Sequence, residues 1–395
     1  MNSKLGYYKV GNKIFFNKLQ AILFANTTLA DVEWNFNDDI FSRVNWEESP
    51  TLSLSEYYKI RAKQIREEND YIILMCSGGA DSTNMVYSFL NNEILVDEIV
   101  AGAPLSGLEK WKWSDTDTSE NNIISETKYA QLPLMNAISQ SHPNIKITIH
   151  DYFVDILNMK GDDWIYSSSG HWLHFSGTTR HSLDRYKHIR DLAESGKKIA
   201  VVYGIDKPII CRSSSGNLYS TISDAIINIV TPHFKDKYPN VESVYFYYTP
   251  DLPDLMVKQA HEVCNWIYRP ENSYAKNWMV DQEKGEKFNL NTERGSKWQR
   301  GIVPCIYPDV YHDIKTVFQA DKQGIGFKGG FALDKWIFQL HGNLPVVDML
   351  KSDFNRFLKS IDKKYVLDSD LTDGFVRFSK LWKIGHESKF IHVNR

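Results

Sequence analysis

Seven residues, Cys76-Ser77-Gly78-Gly79-Ala80-Asp81-Ser82, combine the side chains and the backbone freedom that phosphate binding needs. Gly78 and Gly79 admit positive φ and let the chain come close to a ligand. Ser77 and Ser82 offer hydroxyls, and Asp81 sets a carboxylate among them. A second group, Gly204-Ile205-Asp206-Lys207-Pro208, joins a glycine turn to an acid and a cation. A third, Gly177-Thr178-Thr179-Arg180-His181-Ser182, carries a guanidinium suited to bidentate phosphate or carboxylate binding. His171, His174 and His181 include a His-x-x-His spacing, but no carboxylate motif or cysteine pair completes a metal site there.

These groups need elements to hold them. Tyr71–Met75 is too short an apolar run for a helix and is rich in β-formers, so it reads as a buried strand. After the glycines, Met85, Val86, Phe89 and Leu90 fall on one helical face. Strand, glycine turn and helix start place the free N–H groups of a first helical turn against any anion bound there. Further strands are expected at Glu98–Gly102, Ile145–His150, Ile199–Tyr203 and Val244–Tyr248, and helices over 125–139, 182–195 and 253–268. Ser53 and Glu56 form a capping-box pattern that starts a helix over Leu54–Glu68.

This alternation predicts an α/β fold, a parallel five-stranded sheet with helices on both faces. Ligands of such sheets lie beyond the carboxyl ends of the strands, where Ser77 and Gly204 both fall. Residues 1–50 read as a small lead-in, with a hairpin of Tyr7–Val10 and Lys13–Phe16 about Gly11-Asn12 and a helix over Lys18–Ala25. Residues 51–250 hold the sheet. Residues 251–395 read as a mostly helical region able to supply an acceptor site, with helices at Val346–Ile361 and Phe375–Trp382 and a glycine-rich turn at Gly324–Phe331.

The loop lacks the Gly-Lys-Ser/Thr of a Walker A motif and the Gly-x-Gly-x-x-Gly of a dinucleotide fold. Ser-Gly-Gly-Ala-Asp-Ser instead resembles the PP-loop of the N-type ATP pyrophosphatases, whose fold is HUP-like. The resemblance covers residues 70–92 firmly and extends more loosely to 210. It implies ATP as substrate, Mg²⁺ as cofactor and cleavage between the α and β phosphates. Ser77, Gly78, Gly79, Asp81, Ser82 and Gly204 would then hold the nucleotide. Asp81 would bind Mg²⁺, directly or through water, or cap the helix. Asp206 would be a second Mg²⁺ ligand, Lys207 a cation on the α-phosphate or pyrophosphate, and Arg180 a further anion contact.

Absences sort the relatives. Cys76, Cys211, Cys264 and Cys305 are dispersed and form no Cys-x-x-Cys, against structural zinc, a disulfide scaffold and cysteine-based sulfur transfer. The pattern looks most like the synthase part of asparagine synthetase-like enzymes, an AMP-forming ligase or amidotransferase acting on a carboxylate or carbonyl. Asn2 stands where a glutaminase nucleophile would be cysteine, so the amine is expected from ammonia, an amino compound or a partner subunit. Two alternatives stay open: a relative of PAPS reductases, and an ATP-binding module without turnover.

A formal charge of −3, 42% hydrophobic and 24% charged residues describe an ordinary globular chain with no global case for nucleic acid or membrane. A local basic patch around Arg294, Lys297 and Arg300 leaves a nucleic-acid contact open. No stretch approaches eighteen apolar residues and no leader pattern opens the chain, so the cytoplasm is the expected compartment.

Overall fold

The computed structural model describes residues 4, 6–16, 18–28, 30–103, 105–108, 127–151, 187–204, 207–222, 224, 237–281, 302–303, 305–309 and 377–391. The chain opens with β1 (Tyr7–Val10), β2 (Lys13–Phe15), α1 (Lys18–Thr28), β3 (Val32–Asn35) and the single-turn α2 (Asp38–Phe41). It continues through α3 (Leu54–Glu68), β4 (Tyr71–Met75), α4 (Ala80–Leu90), β5 (Glu98–Ala103) and the short α5 (Leu105–Leu108). A π-helical turn, Thr127–Gln131, leads into α6 (Leu132–Ser141), and β6 (Lys146–Asp151), α7 (Lys187–Glu194) and β7 (Ile199–Tyr203) follow. Beyond them come β8 (Ile209–Arg212), β9 (Asn217–Thr221), β10 (Val241–Tyr245), α8 (Pro253–Ile267), β11 (Val280–Asp281) and β12 (Trp382–His386).

Five parallel strands in the order β10-β7-β4-β5-β6 make the central sheet, and the protein is α/β. The chain runs outward from β4 through β5 to β6, then returns to the other side of β4 for β7 and β10. The order therefore reverses between β4 and β7, and a doubly wound sheet opens its ligand crevice beyond the carboxyl ends of two such strands. Ile72, Ile73 and Leu74 are all 0% exposed although neighbours point to opposite faces, so both faces are covered. That burial is why β4 and β7 read as unbroken apolar runs.

The helix before β4 starts as the sequence predicts: Ser53 Oγ accepts from the Glu56 amide and the Glu56 carboxylate accepts from the Ser53 amide. Arg61 on this helix is buried, and its Nη2 donates to the Tyr245 carbonyl at 2.9 Å. Burial lowers that guanidinium to about 10. At the amino end of the sheet, the buried Glu98 accepts from Tyr71 at 3.0 Å and Thr148 at 2.5 Å, and lies 2.9 Å from His188 of α7. One carboxylate thus ties three strands and a helix together far from the loop.

Three expected elements differ. The helix expected over 125–139 is, in its described residues, the π-helical turn Thr127–Gln131 followed by α6, which runs on to Ser141. The fifth strand lies three residues earlier than Val244–Tyr248, because β10 pairs Val241 with Ile199 and leaves Phe246, Tyr247 and Tyr248 for aromatic packing. The helix expected over Phe375–Trp382 is not formed across its described residues. Trp382 instead opens β12, antiparallel to β9, with Trp382 and Ile384 buried and Lys383 exposed between them. That alternation is a strand period. A second sheet, β11-β8-β9-β12, therefore joins residues 209–221 to the C-terminal region, and the first three strands form a third sheet, β2-β1-β3. Trp382 stacks on Trp46 with ring centres 4.9 Å apart, so the last strand also packs on the lead-in. Val346–Ile361 and Gly324–Phe331 lie outside the described residues. Among the described residues no helix is long and apolar enough to cross a membrane.

Candidate functional site

β4 ends at Met75, and the chain turns through Cys76, Ser77 and Gly78 into α4, whose N-cap is Gly79. Of the two loop glycines only Gly78 uses positive φ, at 76°; Gly79 is extended, with φ −74° and ψ 166°. Gly78 is required a second time by packing. A β-carbon there would stand 2.7 Å from the Gln131 amide nitrogen and 2.8 Å from its Cα.

The two serines close the loop on itself. Ser82 Oγ accepts from the Ser77 amide at 3.2 Å and donates to the Gly79 carbonyl at 3.2 Å. Ser77 Oγ lies 3.3 Å from it and accepts from the Gly79 amide at 3.3 Å. A glycine N-cap brings no side chain to the first turn, so the amides of Ala80, Asp81 and Ser82 form the positive end of an eleven-residue helix. Anion binding at such an end needs no further device.

Gly204, at the end of β7, lets that strand meet the same turn. A β-carbon on Gly204 would lie 2.8 Å from the Asp81 carbonyl oxygen and 2.9 Å from Ser82 Cα. Three residues on, the buried Lys207 sets its Nζ 2.5 Å from Asp81 Oδ2. Tyr248 holds the Lys207 carbonyl at 2.5 Å. Tyr307 donates to the other Asp81 oxygen, and Tyr247 donates to the Asp81 carbonyl at 2.8 Å while accepting from Asn84 at 2.8 Å. Tyr58, Tyr247 and Tyr307 pack ring to ring behind the loop, and Tyr58 donates to the Ile306 carbonyl at 2.5 Å. Burial raises all three phenols well above their ordinary value, and the Asp81 charge raises Tyr307 further, so Tyr307 remains a donor.

The structure thus brings Ser77, Gly78, Gly79, Asp81, Ser82, Gly204 and Lys207 to one place at the β4–β7 crevice. Arg180 and Asp206 lie outside the described residues, as do His171, His174, His181 and the Arg294–Arg300 patch. Sequence reasoning missed Tyr247, Tyr307 and Gln131. Tyr307 comes from a stretch without clear period, 226 residues from the acid it contacts, and nothing local marks it.

Asp81 is the described acid at the loop, and a carboxylate with two oxygens accepts from more than one partner. Mg²⁺ held mainly by nucleotide phosphates needs one or two carboxylates, so this donor set fits it. Among the described residues no cluster of three or more His, Cys, Asp or Glu forms a protein-only metal cage. The four cysteines are free. Burial pushes the Cys264 and Cys305 thiols up, away from the thiolate a nucleophile requires. No protein-family profile matches the chain, and neither a curated protein nor a solved structure matches it.

Proposed function

We propose that this protein is an ATP pyrophosphatase of the PP-loop type, an AMP-forming ligase or amidotransferase that binds ATP in the β4–β7 crevice. One observation carries the reading: the Ser77–Ser82 turn opens α4 at the strand-order reversal, and Lys207 reaches it from β7.

The chemistry follows from what such a site stabilises. A carboxylate or carbonyl oxygen of the acceptor attacks the α-phosphorus. The bond from that phosphorus to the α–β bridging oxygen breaks, and its electron pair leaves with pyrophosphate. Charge grows on the leaving group, where the Ala80, Asp81 and Ser82 amides and the Lys207 ammonium act as fixed donors. An amine then attacks the adenylated carbon and AMP departs with the bonding pair. Mg²⁺ on Asp81, and on Asp206, would supply further charge neutralisation on the phosphates. The amine comes from ammonia, an amino compound or a partner subunit, and the acceptor is a small molecule or nucleotide.

The test is ATP–pyrophosphate exchange in the presence of candidate acceptors, with Mg²⁺ supplied. Exchange is expected in the wild type and lost in Asp81→Ala. Formation of ADP and phosphate would end the proposal. A second reading, an ATP-binding module without turnover, draws on Asp81 having both oxygens engaged by Lys207 and Tyr307. Tight ATP binding with no acceptor-stimulated pyrophosphate release would favour it. The sulfonucleotide alternative loses ground to the burial of Cys76, Cys211 and Cys264.

A further inference from the structure

The π-helical turn Thr127–Gln131 is the strangest backbone near the loop. Five residues of π-helix are rare, and such turns concentrate at functional sites. This one lies against Gly78 so closely that no β-carbon fits between them. Its last residue, Gln131, is 4% exposed and donates from Nε2 to the Cys76 carbonyl at 3.2 Å. The other end of the same carboxamide, Oε1, is buried and has no hydrogen-bond partner among the described residues. Exchanging the two ends would set oxygen against the Cys76 carbonyl, so the hydrogen bond fixes which one is left over. An unpaired buried acceptor carries the full cost of its lost water, and native proteins retain few of them. Oε1 sits within one carboxamide's width of the loop, and a ligand that brings it a donor removes that cost.

We propose that Gln131 is a specificity-determining residue of the nucleotide site, its Oε1 accepting a hydrogen bond from the nucleoside part of the bound nucleotide. This rests on the reading of the Ser77–Ser82 turn as a phosphate site. The side on which Gln131 lies supports it. Lys207 arrives from β7, whereas the π-turn belongs to the connection between β5 and β6, on the opposite side of β4. In open parallel sheets of this order, the sugar of a nucleotide held at the first helix is read from the neighbouring second strand's side. Two nucleoside groups offer the donor, a ribose hydroxyl and the exocyclic amine of adenine. The phosphates are not the source, because at neutral pH they present acceptors.

Calorimetric titration of the full chain with Mg²⁺ and ATP, 2′-deoxy-ATP, 3′-deoxy-ATP, ITP or pyrophosphate tests this. Gln131→Met keeps the volume of the side chain and removes the amide. It is expected to bind ATP roughly tenfold more weakly, the scale of one lost hydrogen bond, and pyrophosphate within about twofold of wild type. Its melting temperature should hold, since the substitution removes an unpaired acceptor along with one hydrogen bond. Wild type should discriminate by a similar factor against whichever analogue lacks the donor, a deoxy sugar or the inosine base. That arm needs no variant and stands if Gln131→Met folds poorly. Equal wild-type affinity for all four nucleotides overturns the proposal, as does an equal loss of ATP and pyrophosphate binding in Gln131→Met, which would make Gln131 a brace of the loop. Wild type that binds neither ATP nor pyrophosphate overturns the phosphate-site reading and this proposal with it.

Discussion

Gly204→Ala puts a methyl group 2.8 Å from the Asp81 carbonyl oxygen and 2.9 Å from Ser82 Cα, both of them backbone atoms in the first turn of α4. Neither neighbour can rotate away, as the tip of a side chain would. To restore ordinary contact, β7 and α4 must separate by about half an ångström, and overpacking of this kind costs roughly 1–3 kcal/mol. The separation also moves Asp81 relative to Lys207, and small misplacements of this order in a phosphate site weaken binding and chemistry together. Gly196→Ala is the matched control. Its φ is 82°, so alanine is strained there too, yet nothing lies within 4 Å of the new methyl group. Both variants should lose stability by about 1 kcal/mol or more in urea unfolding. On the proposed reading, ATP affinity should fall in Gly204→Ala and stay at the wild-type value in Gly196→Ala. If Gly204→Ala unfolds and binds ATP as wild type does, the close approach of β7 to α4 is not what demands glycine.

Tyr307→Phe removes the donor to Asp81 while keeping the ring, and should destabilise the protein by about 1–2 kcal/mol in thermal denaturation; Asp81 is partly accessible, so water replaces some of the loss. Ser53→Ala deletes the side-chain half of the α3 capping box and should cost about 1 kcal/mol, read from the denaturant midpoint. Glu387 has its carboxyl held below the ordinary 4.5 by the hydrogen bonds from Arg212, with Tyr268 adding to the effect. A depressed carboxylate contributes stability above its unfolded pKa and loses it as pH falls through the folded value. Glu387→Gln should therefore flatten the acid side of the stability profile below about pH 4.5, in urea midpoints measured from pH 7 to 3.

The central sheet was legible because buried parallel strands leave continuous apolar runs, and Tyr71–Met75 and Ile199–Tyr203 were placed without error. The Ser53–Glu56 box was legible for a related reason: it is a local interaction written in four residues. The second sheet was not. β8 and β9 are short and follow a proline, and their pairing with β11 and β12 joins segments far apart in the chain. β12 shares only Trp382 with the helix expected over Phe375–Trp382, and its five-residue alternation is too short to announce a strand without its partner β9. At the site the loop itself could be read, since glycine and serine spacing is local chemistry. Lys207 could be read too, beside Gly204, whereas the tyrosine braces Tyr247 and Tyr307 could not, because they reach the loop only through the tertiary fold, as Gln131 does.

Those braces change what the loop means physically. Lys207 and Asp81 neutralise one another at 2.5 Å, so the crevice does not present a bare cation to an approaching phosphate. The first attraction then rests on the amides at the start of α4, whose partial charges are fixed by the backbone. On the proposed reading, phosphate draws the Lys207 ammonium toward itself and leaves the Asp81 carboxylate free to take Mg²⁺, with Tyr307 still donating to its other oxygen. A partly buried setting backed by tyrosines favours that exchange: charges that cancel before binding are not left unpaired where water solvates them poorly. On that reading the Asp81–Lys207 pair joins two groups that the chemistry would use separately, one on phosphate and one on the metal.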